Sequence, residues 1–171
     1  MKTKLMALCA VLVVAGAFAE DTKPVKAGSP EFERMKSLVG MWTGKVDMGQ
    51  GLVDLTKQYR LIAGGSVVEE RDFPGTPNEM VTMYYDKDGK LALTHYCLFG
   101  NRPQMFVKAA DAKSITFDFD KACGINPQKE CHMHGMKIVF DNADTITASC
   151  RAMMDGKDMP EHPTTLKRVK P

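Results

Sequence analysis

The sequence predicts an all-β protein, an antiparallel up-and-down β-barrel of about ten strands preceded by one short N-terminal helix. Three observations predict it. From Met41 onward apolar residues recur with period two, turn pairs cut that alternation at strand-length intervals, and only the segment after Ser29 carries a helical period.

Ser29-Pro30-Glu31 starts the helix, with a capping hydroxyl, proline at the first helical position and an acid in the first turn. Phe32, Met35, Leu38 and Val39 follow at helical spacing, and Gly40 closes the segment. The candidate strands are 41–48, 52–62, 66–73, 79–86, 90–98, 103–109, 113–119, 132–141, 145–154 and 163–169. Their connections carry Gly64-Gly65, Pro74-Gly75, Asp88-Gly89, Gly100-Asn101 and Asp155-Gly156, residues suited to tight reversals. Short strands so linked form a meander, and closing it into a barrel removes its exposed edges. No internal repeat or low-complexity tract interrupts the pattern.

The chain of 171 residues begins with Lys2 and Lys4, an apolar run from Leu5 to Val14 and the small-x-small triplet Ala17-Phe18-Ala19. That layout predicts a signal peptide over 1–19 with cleavage after Ala19, and export to the periplasm or beyond the cell. Residues 20–29 are polar and read as a flexible mature N-terminus, leaving 30–171 as one barrel domain. No later segment approaches the length of a membrane-spanning helix, so no membrane insertion is expected. The full chain has 23 Lys+Arg and 21 Asp+Glu, and the two lysines of the leader account for the excess. A balanced mature chain without a basic cluster argues against nucleic acid as a partner. A monomer with a small-molecule ligand is the expectation.

Beyond the leader stand Cys97, Cys123, Cys131 and Cys150. In an oxidising compartment an even number suggests disulfides, with buried thiols as the alternative. Cys123 and Cys131 flank GINPQKE, whose turn residues predict a Cys123–Cys131 bridge; the pairing of Cys97 and Cys150 is left open.

Leu38-Val39-Gly40-Met41-Trp42-Thr43-Gly44, after the helix, and Leu166-Lys167-Arg168, near the C-terminus, resemble the Gly-x-Trp opening and the closing arginine of the lipocalin and fatty-acid-binding superfamily. GTPNEMVTMYYD and LTHYCLFGNRPQM also resemble small exported lipocalin-like bacterial proteins of unassigned function. The resemblance implies a ligand-binding barrel in which Trp42 closes one end and Arg168 packs over it in a cation–π contact.

Because side chains alternate along a strand, the apolar parity predicts the lumen. It selects Tyr59, Val81, Met83, Tyr85, Leu93, His95, Cys97, Met105, Phe117, His132, His134 and Met136 as inward. Of these, Tyr59, Met83, Tyr85, Leu93, His95, Met105, Phe117, His132, His134 and Met136 are the candidate ligand-binding residues. A barrel of this strand number can keep a cavity, and one lined by apolar groups with a few polar ones suits a small hydrophobic or amphipathic ligand.

Two competing chemistries deserve weighing. His132 and His134, two apart on one strand, could converge on copper, zinc or haem iron with His95 as a further donor, whereas the plain reading is hydrogen-bonded inner histidines. No cofactor is otherwise implied. Arg102, after the Gly100-Asn101 turn, is either a rim group for a carboxylate or a solvated charge. Catalysis has little basis: no nucleophile elbow, phosphate loop or dinucleotide fingerprint is present. Glu69 and Glu70 are adjacent and so face opposite ways, and no catalytic carboxylate pair is expected.

Overall fold

A computed structural model describes residues 27–47, 49 and 51–170. The predicted leader over 1–19, and 20–26 after it, lie outside the described residues. The helix α1 (Pro30–Lys36) is followed by eleven strands: β1 (Gly40–Asp47), β2 (Leu52–Ile62), β3 (Val67–Asp72), β4 (Met80–Lys87), β5 (Lys90–Tyr96), β6 (Gln104–Ala110), β7 (Ser114–Phe119), β8 (His132–Asn142), β9 (Thr145–Met154), β10 (Lys157–Asp158) and β11 (Thr164–Arg168). Each of β1 to β8 pairs antiparallel with the next, β8 pairs with β9, β9 with β11 and β11 with β1. The result is a closed antiparallel barrel of ten strands, with the short β10 folded back on β9.

The helix forms where its caps require it. Ser29 Oγ accepts from the Phe32 amide at 3.2 Å and donates to Asp86 Oδ1 at 2.7 Å, so one hydroxyl both caps α1 and ties it to the end of β4. The helix stops at Lys36, short of the predicted Val39. Phe32, Met35 and Leu38 are buried while Val39 is exposed. Gly40 then takes φ +131°, which allows the sharp entry into β1, and a Cβ there would lie 3.1 Å from Arg168 Nη1. At the hairpins, Asp88-Gly89 and Asp155-Gly156 both carry positive φ at each central residue, the geometry of a type I′ turn.

Antiparallel order gives the barrel two distinct ends. The helix end holds α1 and the β2–β3, β4–β5, β6–β7 and β8–β9 connections; the loop end holds the longer segments 73–79, 97–103, 120–131 and 155–163. At the helix end the interior is apolar: Trp42, Leu91, Ile115, Ile138, Ile146 and Leu166 are almost wholly buried. Each such side chain contributes about 1.5–3 kcal/mol relative to exposure. Trp42 Nε1 donates to Leu38 O at 2.7 Å, and the Arg168 guanidinium lies 4.3 Å from the ring centroid. Arg168 also donates to the carbonyls of Ser37 (2.7 Å) and Val39 (2.8 Å), left free where the helix ends, and to that of Ala143 (3.1 Å) in the β8–β9 turn.

The expected Cys123–Cys131 bridge is absent: Cys97, Cys123, Cys131 and Cys150 are all free thiols. Hydrogen bonds close the intervening loop instead. Asn126 O accepts from the amides of Lys129 (3.1 Å) and Glu130 (3.0 Å), and Glu130 Oε1 accepts from the Asn126 amide at 2.7 Å. Among the described residues no helix is long and apolar enough to cross a membrane.

Candidate functional site

Strand register assembles a polar row inside the barrel. Tyr59 on β2, Glu70 on β3, Thr82 on β4 and His95 on β5 are Cα partners in succession. All four are buried, none more than 5% exposed. One step toward the loop end, Lys57 on β2 is partnered with Asp72 on β3, and one step toward the helix end Tyr84 follows Thr82 on β4.

These side chains meet. Lys57 Nζ lies 2.5 Å from Glu70 Oε1 and 2.6 Å from Asp72 Oδ1, and the Tyr84 hydroxyl donates to Glu70 Oε2 at 2.6 Å. Thr82 Oγ1 and His95 Nδ1 are 2.8 Å apart. The Lys57 ammonium thus bridges the two carboxylates, holding Asp72 Oδ1 as an ion pair. The buried Tyr59 hydroxyl has no hydrogen-bond partner among the protein groups.

The electrostatics follow from burial and from one shared cation. Burial alone would raise the Glu70 carboxyl, but the Lys57 ammonium and the bonds from Lys57 and Tyr84 outweigh it and hold it down at about 2. Asp72 goes the other way, pushed up to about 7, first by burial and then against Lys57 by the charge of Glu70. Burial drives His95 down to about 4, so it is neutral. Tyr59 and Tyr84 are held protonated by burial and by the neighbouring Glu70 charge. Phe73, next after Asp72, sits at φ +52°, a strained conformation for an aromatic residue, with its side chain against the core.

On β9, Cys150 follows the inward parity of Ile146 and Ala148. Burial pushes the Cys150 thiol up to about 12, with Lys57, Asp72, Glu70 and Glu161 among the charges it feels. The residue is nevertheless solvent-exposed. The ladder explains the exposure: β11 begins at Thr164 opposite Ala148, so Ser149 to Arg151 have no β11 partner on that side. Asp72, with a side chain 15% exposed, is the cluster member nearest to water.

The predicted ligand residues divide into three groups. Tyr59 and His95 belong to the polar row, while Leu93, Met105, Phe117 and Met136 are buried among the packed interior side chains. Met83 and Tyr85 are corrections, with Val81: Tyr84 is the inward residue, so its neighbours face out, and the Tyr85 hydroxyl lies 3.0 Å from Thr94 Oγ1 on the outer wall. The segment MVTMYY is apolar on both parities, so hydrophobicity could not choose between them.

His132 and His134 do not head one inward row either. A bulge between Met133 and Gly135 breaks the alternation, so that Met133 and Met136 both enter the core. The two imidazoles stack on Phe119, with centroids at 4.6 Å and 4.8 Å. His132 Nδ1 lies 2.7 Å from Glu130 O, which can only accept, and Nε2 lies 2.8 Å from His134 Nδ1. In the neutral pair His132 therefore carries its proton on Nδ1 and accepts from His134, leaving it no nitrogen for a metal. His134 senses Arg151, Asp158 and Asp118, whereas His95 senses Glu70 and Lys57, so the two occupy different surroundings. Among the described residues no three His, Cys, Asp or Glu side chains are placed to hold a metal ion.

Sequence reasoning missed Lys57, Glu70, Asp72, Thr82 and Tyr84. The signal was available for three of them. Lys57 has the parity of Leu55 and Tyr59, and Glu70 and Asp72 have the parity of Val68. Glu69 and Glu70 do face opposite ways, since Glu69 pairs with Arg60 and Arg71 outside, but the relevant pair was two apart, not adjacent.

Two hollows open elsewhere. One of about 120 Å³ adjoins Trp42 and Arg168; the other, of about 290 Å³, lies on the outer wall between Lys108, Asp118 and Arg151. In the second, Asp118 already pairs with Arg151 (3.0 Å) and Lys108 (3.2 Å). No protein-family model matches the chain and no curated protein matches it, so the functional reading rests on the barrel and its enclosed charged cluster.

Proposed function

We propose that the chain is an exported, monomeric binding barrel of the lipocalin-like kind, which holds a small amphipathic ligand at the loop end with its polar head toward the Lys57, Glu70 and Asp72 cluster. The observation that carries this reading is the ion cluster of Lys57, Glu70 and Asp72 enclosed within the barrel wall at its loop end. Buried charge of this kind seldom improves stability over apolar packing, and a binding role accounts for it. The polar row favours an amphipathic ligand over a purely hydrophobic one. Leu98 and Phe99, exposed on the loop end, offer apolar surface for the remainder of such a molecule. The Trp42–Arg168 closure supports the lipocalin-like assignment.

Native mass spectrometry of protein purified from its own cells tests the reading, together with displacement of a fluorescent amphiphile. A bound small molecule whose presence slows alkylation of Cys150 is expected. No bound species, no displacement and unprotected Cys150 across amphiphiles of both charges would remove it. N-terminal sequencing tests export separately: the mature chain is expected to begin at Glu20.

A further inference from the structure

The barrel wall has a seam at the loop end. β10 and β11 follow the same edge of β9 as one broken strand: Lys157 and Asp158 face Met154 and Met153, then pairing stops and resumes at Thr164 opposite Ala148. The stretch from Lys157 to Thr164 holds one residue more than the stretch of β9 it follows, so it must bulge. Pro160 and Pro163 lie in the bulge and have no amide hydrogen to give the ladder. Met159 to Pro163, all exposed, form a strap across the gap. Among the described residues it is tied to β9 by the Met159 amide, which donates to Ala152 O at 2.9 Å, and by Ser149 Oγ, which donates to Glu161 Oε2 at 3.0 Å.

The strap is no better joined to β1. β11 pairs with β1 from Leu166 to Arg168, opposite Gly44 to Trp42. At Gly44 the two strands part, and a Cβ there would strike the Thr165 carbonyl oxygen. Lys45 to Asp47 thus have no β11 partner. Register places the gap beside the ion cluster: Gly44 is the Cα partner of Leu55 on β2, and the next inward residue along β2 is Lys57. On the β9 side, Cys150 is the Cα partner of Met136, which is only 5% exposed, yet Cys150 itself is open to solvent. Beside a buried partner, an inward side chain meets water through the unpaired edge of its own strand.

Other coverings of this end are braced. Asn101 Nδ2 donates to Cys131 O at 2.8 Å and so joins 97–103 to 120–131, while Glu79 accepts from the Gly75 amide and from Arg71 within 73–79. Resting on the binding role proposed above, we propose that the strap Met159–Pro163 is a gate, which swings out from the seam between β9 and β1 and admits the ligand through the side of the barrel. The bonds at Ala152 O and Glu161 are its latch. With few bonds and no buried side chain, the strap belongs to the part of the fold that opens most readily. Its prolines keep it from zipping into the ladder, which would seal the wall and the entrance with it.

Locking the strap tests the gate. In the full chain with its five cysteines changed to Ser, Ser149→Cys and Glu161→Cys are bridged by 1,2-ethylene bismethanethiosulfonate, and dithiothreitol reopens the bridge. The probes are 11-(dansylamino)undecanoate and its trimethylammonium counterpart, and stopped-flow fluorescence follows uptake and release of whichever binds. A gate alters rates and leaves the equilibrium alone, so the bridge should slow uptake and release alike, by about tenfold or more, and dithiothreitol should restore both. Pro160→Val with Pro163→Val, which gives the strap two amides for β9, should slow both steps in the same sense without any cross-link. Equal rates in bridged and reduced protein, or a weaker affinity without slower release, overturn the gate while leaving the binding role in place. No uptake of either probe by wild-type protein removes the binding role, and the gate with it. Should the bridge not form, the proline variant decides: slower uptake and release support the gate, and unchanged rates overturn it.

Discussion

At the helix end of the barrel, Trp42, Leu166 and Ile146 are sealed beneath α1 and held by Arg168; at the loop end, Lys57, Glu70 and Asp72 are enclosed by the same wall. Both interiors are buried, yet the energetics differ in kind. Apolar burial gains with every ångström of surface removed from water, while each buried ion must first recover several kcal/mol of lost hydration. A barrel selected for stability alone has little reason to build the second interior. The asymmetry separates a closure that holds the fold from a cluster whose reason lies in what it contacts.

The largest effect should come from removing the closure. Trp42→Ala leaves a cavity under α1, frees the Leu38 carbonyl and takes away the surface on which Arg168 rests. Urea unfolding should show a loss of about 3–5 kcal/mol. A loss below about 1 kcal/mol would place the weight of that end elsewhere.

Somewhat less is expected from Lys57→Met, which strands Glu70 and Asp72 without their cation. A loss of about 3 kcal/mol is expected, because an uncompensated charge remains buried. The comparison sharpens when Glu70→Gln and Asp72→Asn are added to it. The triple variant should recover most of that stability. No repair at Trp42 has a similar property, since there the lost quantity is packing itself. If the triple variant is as unstable as Lys57→Met alone, the loop-end cluster is a structural element and the contrast between the ends fails.

A smaller effect separates the ends by pH. Asp72 binds its proton more tightly folded than unfolded, so its contribution is complete below the ordinary carboxylate range and is lost as pH rises through about 7. His95 acts oppositely: held neutral, it contributes fully above the ordinary imidazole value, and that is lost as pH falls toward about 4. Glu70 contributes above its ordinary value and is lost as pH falls toward about 2. Between weakly acidic and weakly basic pH the wild-type chain should therefore lose stability through Asp72. Asp72→Asn should flatten that decline by about 1–3 kcal/mol, read from urea midpoints on either side of neutrality. Trp42 variants should leave the slope unchanged.

The helix end was legible in the sequence because its signals are local. Ser29-Pro30 marks a cap, Trp42 stands two residues after Gly40, and the alternation around Leu91, Leu93, Ile115 and Ile138 reads unambiguously. At the loop end the faces depend on register between strands, which no single segment encodes. Lys57, Glu70 and Asp72 obey the parity of their apolar neighbours, but a charged residue at an inward position is expected to be outward until a partner across the sheet is known. Met83 and Tyr85 were misplaced because both faces of β4 are apolar. His132 and His134 were misread because a one-residue bulge reverses the parity within β8, and nothing in HMHGM announces it apart from Gly135, which a Cβ would bring within 3.2 Å of Arg151 Nε.

The smallest effect is expected where a covalent link was anticipated. Cys123 and Cys131 are half-buried free thiols at the two ends of a loop already closed by Asn126 and Glu130. Changing both to Ser removes no bond and little packing, so the urea midpoint should shift by less than about 0.5 kcal/mol. Loss of a disulfide around such a loop would instead cost about 2–4 kcal/mol. Glu130→Ala, which releases the Asn126 amide, should exceed the double cysteine change at about 1 kcal/mol. Thiol titration of unfolded protein, purified without reductant, checks the same point independently: every cysteine present should react. A shortfall of two thiols, together with a large penalty for the double Ser variant, would show that the loop end is held by a covalent staple and not by hydrogen bonds.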